Sequence, residues 1–344
     1  MSEPSDAGGY AAAPTCYRHP DRPTGVRCSR CDRPICPQCM IPASVGFQCP
    51  ECVNEGRRTV RTGRTVYGGR VQAGGRPGAV TMTLIGVNVA MFIITSLGGG
   101  LSVAGNGGQS DLFTDLALNP VAVGHGQWYR LVSAMFLHFN VLHIGFNMYA
   151  LYLVGPPLEA ALGRARYLTL YFLAGLGGSV LSVALGPLSE LAAGASGAIF
   201  GLFGAFYIVA RHQRWQTGGI AATIVLNLVL SFSFSGEIDW RGHVGGLIAG
   251  SLLMLAFAYA PSGKYRGHSQ ALGLGAVALI VALVGYAGAH RARSDCPTFQ
   301  ESDLSSGLVV RSTGCPASGE LIIPGTGQNA IRLSQYHRGQ DPSL

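Results

Sequence analysis

The sequence predicts an all-α polytopic membrane protein preceded by a small metal-stabilised module. Three observations predict it. The chain is 48% hydrophobic with a mean hydropathy of +0.31 and only 12% charged residues, too apolar for a soluble domain of 344 residues. Between Ala79 and Ala289 there are 14 Asp, Glu, Lys and Arg residues, between or at the edges of apolar runs. Ahead of those runs stand seven cysteines and a histidine in four regularly spaced pairs.

In chain order, residues 1–15 are small and polar. They contain no apolar core of the kind a cleavable signal needs, and are expected to be disordered. Residues 16–55 carry the pairs Cys16-x2-His19, Cys28-x2-Cys31, Cys36-x2-Cys39 and Cys49-x2-Cys52. A two-residue gap lets both ligands of one tight turn reach the same ion, and eight ligands fill two closed tetrahedral Zn2+ sites. A disulfide framework is the competing reading; strict pairing, the histidine and the expected cytosolic placement favour zinc. The segment is too short for an apolar core, so metal binding of roughly 10–16 kcal/mol per site would supply its stability. Spacing alone leaves cross-brace and sequential pairing both open. Closed sites leave no catalytic position, so the expected role is stabilisation or contact with a cytosolic protein partner.

Residues 56–78 form a basic linker with Arg57, Arg58, Arg61, Arg64, Arg70 and Arg76, read as a solvated tether. Directly before an apolar span, such a run holds its side of the chain in the cytoplasm. Nucleic acid is not expected as a partner, because no aromatic or base-reading motif accompanies the net charge of +7.

Seven apolar spans follow, at roughly 79–97, 138–155, 167–186, 195–210, 219–234, 243–260 and 270–289. Arg164 and Arg166, Arg211 and Arg214, and Lys264 and Arg266 fall in alternate loops, on the side of the basic linker. The other loops hold Asp111, Asp115, Glu190, Glu237 and Asp239, offset by Arg130 and Arg241. The pattern predicts a cytoplasmic N-terminus and an extracytoplasmic C-terminal tail, residues 290–344, with the lipid bilayer between. In that tail Cys296 and Cys315 are expected to form a disulfide.

Spans two, four and six then share one end. Ser196, between Gly194 and Gly197, opens span four; His243, in Gly242-His243-Val244-Gly245-Gly246, opens span six. A serine hydroxyl needs a base, and His243 is the candidate. No Asp or Glu accompanies it within the spans, so the pair is read as a dyad and the His243 ring is expected to be oriented by packing against Phe200. His138, His143 and Asn147 stand at the same end of span two. His143 and Asn147, four residues apart on one helical face, are candidate oxyanion donors together with the Ser196 N–H. Polar side chains within spans point to function, although helix–helix hydrogen bonding explains single residues such as Asn88 or Asn227.

These residues carry a resemblance. Gly194-Ala195-Ser196-Gly197, the His243 stretch, His143-x3-Asn147 and Trp128-Tyr129-Arg130 resemble the motifs of rhomboid intramembrane serine proteases. Tyr129 stands where the family often has Trp, and Gly242 where it often has Ala. The likeness covers about 79–289. It implies a six-helix rhomboid core, here with a seventh transmembrane helix appended. It further implies serine endopeptidase activity on transmembrane protein substrates near the outer membrane surface; inactive relatives lack the Ser or His, and this chain has both. The zinc module is similar to B-box cross-brace fingers. That resemblance pairs Cys16, His19, Cys36 and Cys39 on one ion, and Cys28, Cys31, Cys49 and Cys52 on the other. A bacterial plasma membrane is the expected location. A non-catalytic chaperone or scaffold of the same fold is the alternative, disfavoured because both Ser196 and His243 are present. A transporter is disfavoured because no internal repeat is visible.

Overall fold

Each of the seven apolar runs becomes a helix. The structure, a computed structural model, describes residues 13–59, 63–69, 78–97, 100–104, 110–261 and 263–296, with the backbone of 320–321 and 331–332. The expected N-terminal stretch before residue 13, and Cys315, lie outside the described residues. Two units divide the chain, Met1–Gly63 and Arg64–Leu344.

The first unit has little regular structure. Strand β1 (Thr15–Cys16) pairs antiparallel with β2 (His19–Pro23), and β3 (Ile41–Pro42) with β4 (Phe47–Gln48), before helix α1 (Pro50–Thr59). Its buried apolar side chains are Ile35 and six cysteines. A methylene-poor cluster of that size cannot offset the chain entropy of some forty ordered residues.

The second unit is helical: α2 (Ala79–Ser96), three short helices α3 (Asp111–Leu116), α4 (Pro120–Gly124) and α5 (Arg130–Ser133), then α6 (Val141–Leu162), α7 (Arg164–Leu185), α8 (Ser196–His212), α9 (Gly218–Ser233), α10 (Trp240–Ala258) and α11 (Arg266–Asp295). A further strand pair, β5 (Glu320–Leu321) and β6 (Ile331–Arg332), lies in the tail. Among the described residues α2, α7, α10 and α11 are each long and apolar enough to cross a bilayer. Residues 130–136 and α6 meet that standard together across a 92° bend. Helix α8 has 17 residues and α9 has 16, short for a full crossing.

Three boundaries differ from expectation. The second span is not 138–155: it begins after the bend, at Val141, and continues to Leu162 through Pro156 and Pro157. The two prolines remove two helical N–H donors. Tertiary contact holds the extra turn: Glu159 accepts from the backbone N–H groups of Val80 (3.1 Å) and Thr81 (3.0 Å), capping α2. Helix α11 outruns 270–289 at both ends, reaching Asp295, and Cys296 beyond it is buried and disulfide-bonded. The basic linker is not a free tether throughout. Tyr67 is fully buried, its ring tilted by 51° against His212, and its carbonyl accepts from Gln270, because an aromatic ring gains more from packing than from solvent.

Helices α7, α8 and α10 form the centre, and glycine sets their spacing. A Cβ on Gly246 would collide with the Gly197 carbonyl, and one on Gly250 with the backbone of Gly201. Small residues at both positions let α8 and α10 touch backbone to backbone. That contact brings their first turns side by side, with Ser196 at the start of one and His243 near the start of the other.

Candidate active site and metal cages

The backbone enters α8 through Gly194, whose φ of +138° disfavours any other residue. Its N–H donates to the Ala134 carbonyl at 2.9 Å, fixing the turn. A Cβ there would stand 2.9 Å from His143 Nε2 and 3.6 Å from Ser196 Oγ. Glycine therefore keeps open the space that the His143 ring and the Ser196 hydroxyl both border. Gly197, in the next turn, faces the Gly242 carbonyl.

His243 is buried and held on two sides. Phe200 stacks on its ring with centroids 4.2 Å apart and planes 13° from parallel, as expected from the sequence. The second contact was not foreseen: Ser231 Oγ of α9 lies 2.7 Å from His243 Nδ1. Ser231 also lies 2.6 Å from the Asn227 carbonyl, to which its hydroxyl donates. Its single proton is then committed, so Nδ1 must carry the proton that joins ring to serine. Nε2 is left with a free lone pair. The expectation that packing alone orients the ring is thus corrected. Asp239 caps α10 through Gly242 (3.3 Å) and accepts from Ser182, acting on the helix and not on the imidazole.

A cavity of about 1260 Å³ joins these groups, its wall including His143, Asn147, Ser196, Phe200, Ser231 and His243. Ser196 and His243 share the wall, but among the described residues no hydrogen bond joins them. Asn147 donates from Nδ2 to the His143 carbonyl at 2.8 Å, leaving one amide hydrogen for the cavity. His138 lies behind His143, edge-on at 5.0 Å, with both ring nitrogens buried and unpartnered. It does not line the cavity. Arg130 is buried and ties the preceding loop by donating to the carbonyls of Thr114 (2.7 Å) and Ala117 (2.8 Å).

Ser231 had a visible signal. Thr223, Asn227 and Ser231 recur every four residues on an otherwise apolar helix and all line the cavity. Taken singly, Asn227 reads as packing; taken as a stripe, it marks the face of α9 turned to the site.

In the first unit the ligand atoms of Cys16, His19, Cys36 and Cys39 lie within 4.8 Å of one another, as do those of Cys28, Cys31, Cys49 and Cys52. His19 Nδ1 is 3.8, 3.4 and 3.5 Å from the sulfurs of Cys16, Cys36 and Cys39. A tetrahedron with Zn–S near 2.3 Å and Zn–N near 2.0 Å has edges of about 3.5–3.8 Å, so the donors fit such an ion. Burial, then the Cys16 and Cys36 sulfurs, push the Cys39 thiol up to about 11; burial and the Cys31 and Cys49 sulfurs push Cys52 up to about 12. Burial raises Cys16 and Cys28 too, but backbone N–H groups outweigh it and bring both down to about 6. Three sulfurs converging in one cage and four in the other repel one another as anions, and a dication at the centre removes that conflict.

Residues 125–260 match the Rhomboid domain family. The chain is 34% identical over 137 residues to the Putative rhomboid protease YdcA of Bacillus subtilis (strain 168), covering 69% of that relative and 39% of this chain. It is 36% identical over 184 residues to Rhomboid protease GluP of the same organism, 51% of this chain and 34% of that relative's length. With Rhomboid protease AarA of Providencia stuartii it shares 30% over 158 residues, 37% of this chain and 55% of the relative. Glycine-packed helices long and apolar enough to cross a bilayer define an integral membrane protein, and these similarities name its kind. The chain belongs to the rhomboid family. The match spans about a third of the length of GluP.

Proposed function

We propose that the protein is an intramembrane serine endopeptidase that cuts transmembrane substrates through Ser196 and His243. The observation that carries this reading is the hold on His243: Phe200 fixes the ring plane and Ser231 fixes the tautomer, beside a cavity shared with Ser196. Ser196 Oγ attacks the substrate carbonyl while its proton passes to His243 Nε2. The Ser231 link then stabilises the imidazolium through Nδ1–H. The oxyanion forms near the Ser196 N–H, with His143 Nε2 and the free Asn147 amide hydrogen as further donors. The proton on Nε2 passes to the leaving amine, and water entering the cavity hydrolyses the acyl-enzyme by the same route in reverse.

A substrate helix hides its carbonyls in i→i−4 hydrogen bonds, so residues that weaken the helix near the cut favour cleavage. The loop charges support a cytoplasmic N-terminus, which opens the site at the outer face. In the first unit, two structural Zn2+ ions held by the two cages account for the stability of a segment with almost no apolar core. A cytosolic protein partner suits its surface role.

The test is cleavage of a single-span membrane protein by the purified enzyme in liposomes. Ser196→Ala and His243→Ala should each abolish cutting while both variants insert and unfold at the wild-type temperature. His143→Ala should slow it by about 10²–10³-fold. Undiminished cleavage by Ser196→Ala would sink the assignment.

A further inference from the structure

At the helix ends away from these motifs, beyond the last turns of α6 and α10, a second cavity gathers positive charge. It measures about 780 Å³, and its wall includes Arg64, Arg166, Lys264, Arg266 and His268. None of its lining residues is an acid. The sequence supplies none nearby either: Asp and Glu are absent from 57–110 and from 240–294. Glu159 is committed to the N-terminus of α2 and to Arg164.

The two central guanidiniums are held in place from behind. Gln270, buried, accepts from Arg166 Nε (3.2 Å) and Nη2 (2.9 Å), while its own amide donates to the carbonyls of Tyr67 (3.0 Å) and Phe257 (3.2 Å). Arg266 donates from Nη2 to the Val66 carbonyl at 2.5 Å. Both converge over Gly68: a Cβ on that residue would lie 3.6 Å from Arg166 Nη2 and 3.7 Å from Arg266 Nε. Gly68 has φ +85°, so the chain keeps that space clear. Arg266 Nε is buried with no hydrogen-bond partner. Two oriented cations at such range repel each other, and a buried donor left unmade is costly. The first turns of α7 and α11, which begin at Arg164 and Arg266, add the positive ends of two helix dipoles.

We propose that this cavity binds a phosphate group, supplied by the head group of an anionic phospholipid or by a soluble phosphate ester. Planar guanidiniums pair with phosphate oxygens bidentately, and the unmatched Nε of Arg266 gains its acceptor. Exposed Trp215, Tyr259 and Tyr265 stand at the same helix ends, the level at which aromatic side chains meet lipid head groups. The site does not depend on Ser196 or His243.

The experiment uses the full chain in neutral detergent, titrated with short-chain phosphatidylglycerol, short-chain phosphatidylcholine or inorganic phosphate. Bound molecules are counted by native mass spectrometry. Phosphatidylglycerol should be retained at least tenfold more tightly than phosphatidylcholine, and Arg166→Gln with Arg266→Gln should weaken it about tenfold or more. Inorganic phosphate retained as tightly as phosphatidylglycerol would uphold the phosphate site and assign it to soluble esters. Equal retention of the two lipids without phosphate binding, or undiminished binding in the double variant, overturns the proposal. Should the double variant fail to fold, Arg64→Gln with Lys264→Gln, both exposed, must still weaken binding severalfold; an unchanged affinity there is equally fatal.

Discussion

The two units solve the same stability problem with opposite materials. In the first, the buried side chains are almost all sulfurs, and their contacts to one another are repulsive once ionised. In the second, leucines, alanines and glycines interlock over α7, α8 and α10, and polar groups appear where something must be oriented. On the proposed reading one unit takes its cohesion from metal ions; the other packs by shape. Where the cohesion comes from therefore decides what each unit tolerates.

The sharpest way to separate them is metal removal. The purified chain should contain two zinc ions by elemental analysis. A strong chelator should convert residues 13–59 to a protease-sensitive state, because roughly 10–16 kcal/mol per site is withdrawn. Helix content of the second unit should be unchanged. One ion per chain, or a protease-resistant segment after chelation, breaks the comparison.

Shape is tested next. Gly246→Leu places a side chain against the Gly197 carbonyl, so α8 and α10 must separate. Overpacking of this kind costs about 1–3 kcal/mol or more, and it displaces Ser196 from His243. Thermal unfolding should fall by several degrees and cleavage should vanish, with zinc content unaffected. Retained activity would show that the backbone contact is not what aligns the site.

The smallest effect concerns orientation alone. Ser231→Ala removes one buried hydrogen bond, worth roughly 1 kcal/mol, so kcat should drop about fivefold with KM little changed. The fall should be greatest where His243 must be neutral with Nε2 free, and Ser231→Thr should restore most of it. An equal loss in Ser231→Thr, or a change in KM alone, would indicate a packing role instead.

Much of this was legible in the sequence, for a physical reason. Ligand pairs such as Cys16-x2-His19 and Cys28-x2-Cys31 are local: a tight turn fixes their geometry before any tertiary contact forms. The cross-brace grouping of those pairs agrees with the four-residue cages, although spacing alone had left it open. The glycine-flanked Ser196 and His243 also announce themselves, since a polar residue at the mouth of an apolar helix is costly unless used. Phe200 follows from helix periodicity, one turn below Ser196.

Other features depend on partners far apart in the chain, and there only the tertiary structure decided. Ser231 meets His243 because α9 lies against α10 with its polar stripe inward, a rotation that periodicity narrows and packing selects. Glu159 continues α6 past two prolines because α2 offers it unpaired N–H groups some eighty residues earlier, which no local propensity contains. Arg166 and Arg266 read in sequence as separate topology charges; Gln270 and Gly68 turn them toward one space. Local spacing sets chemistry within a turn or a helix, whereas the choice of which faces meet is made by close packing over the whole bundle.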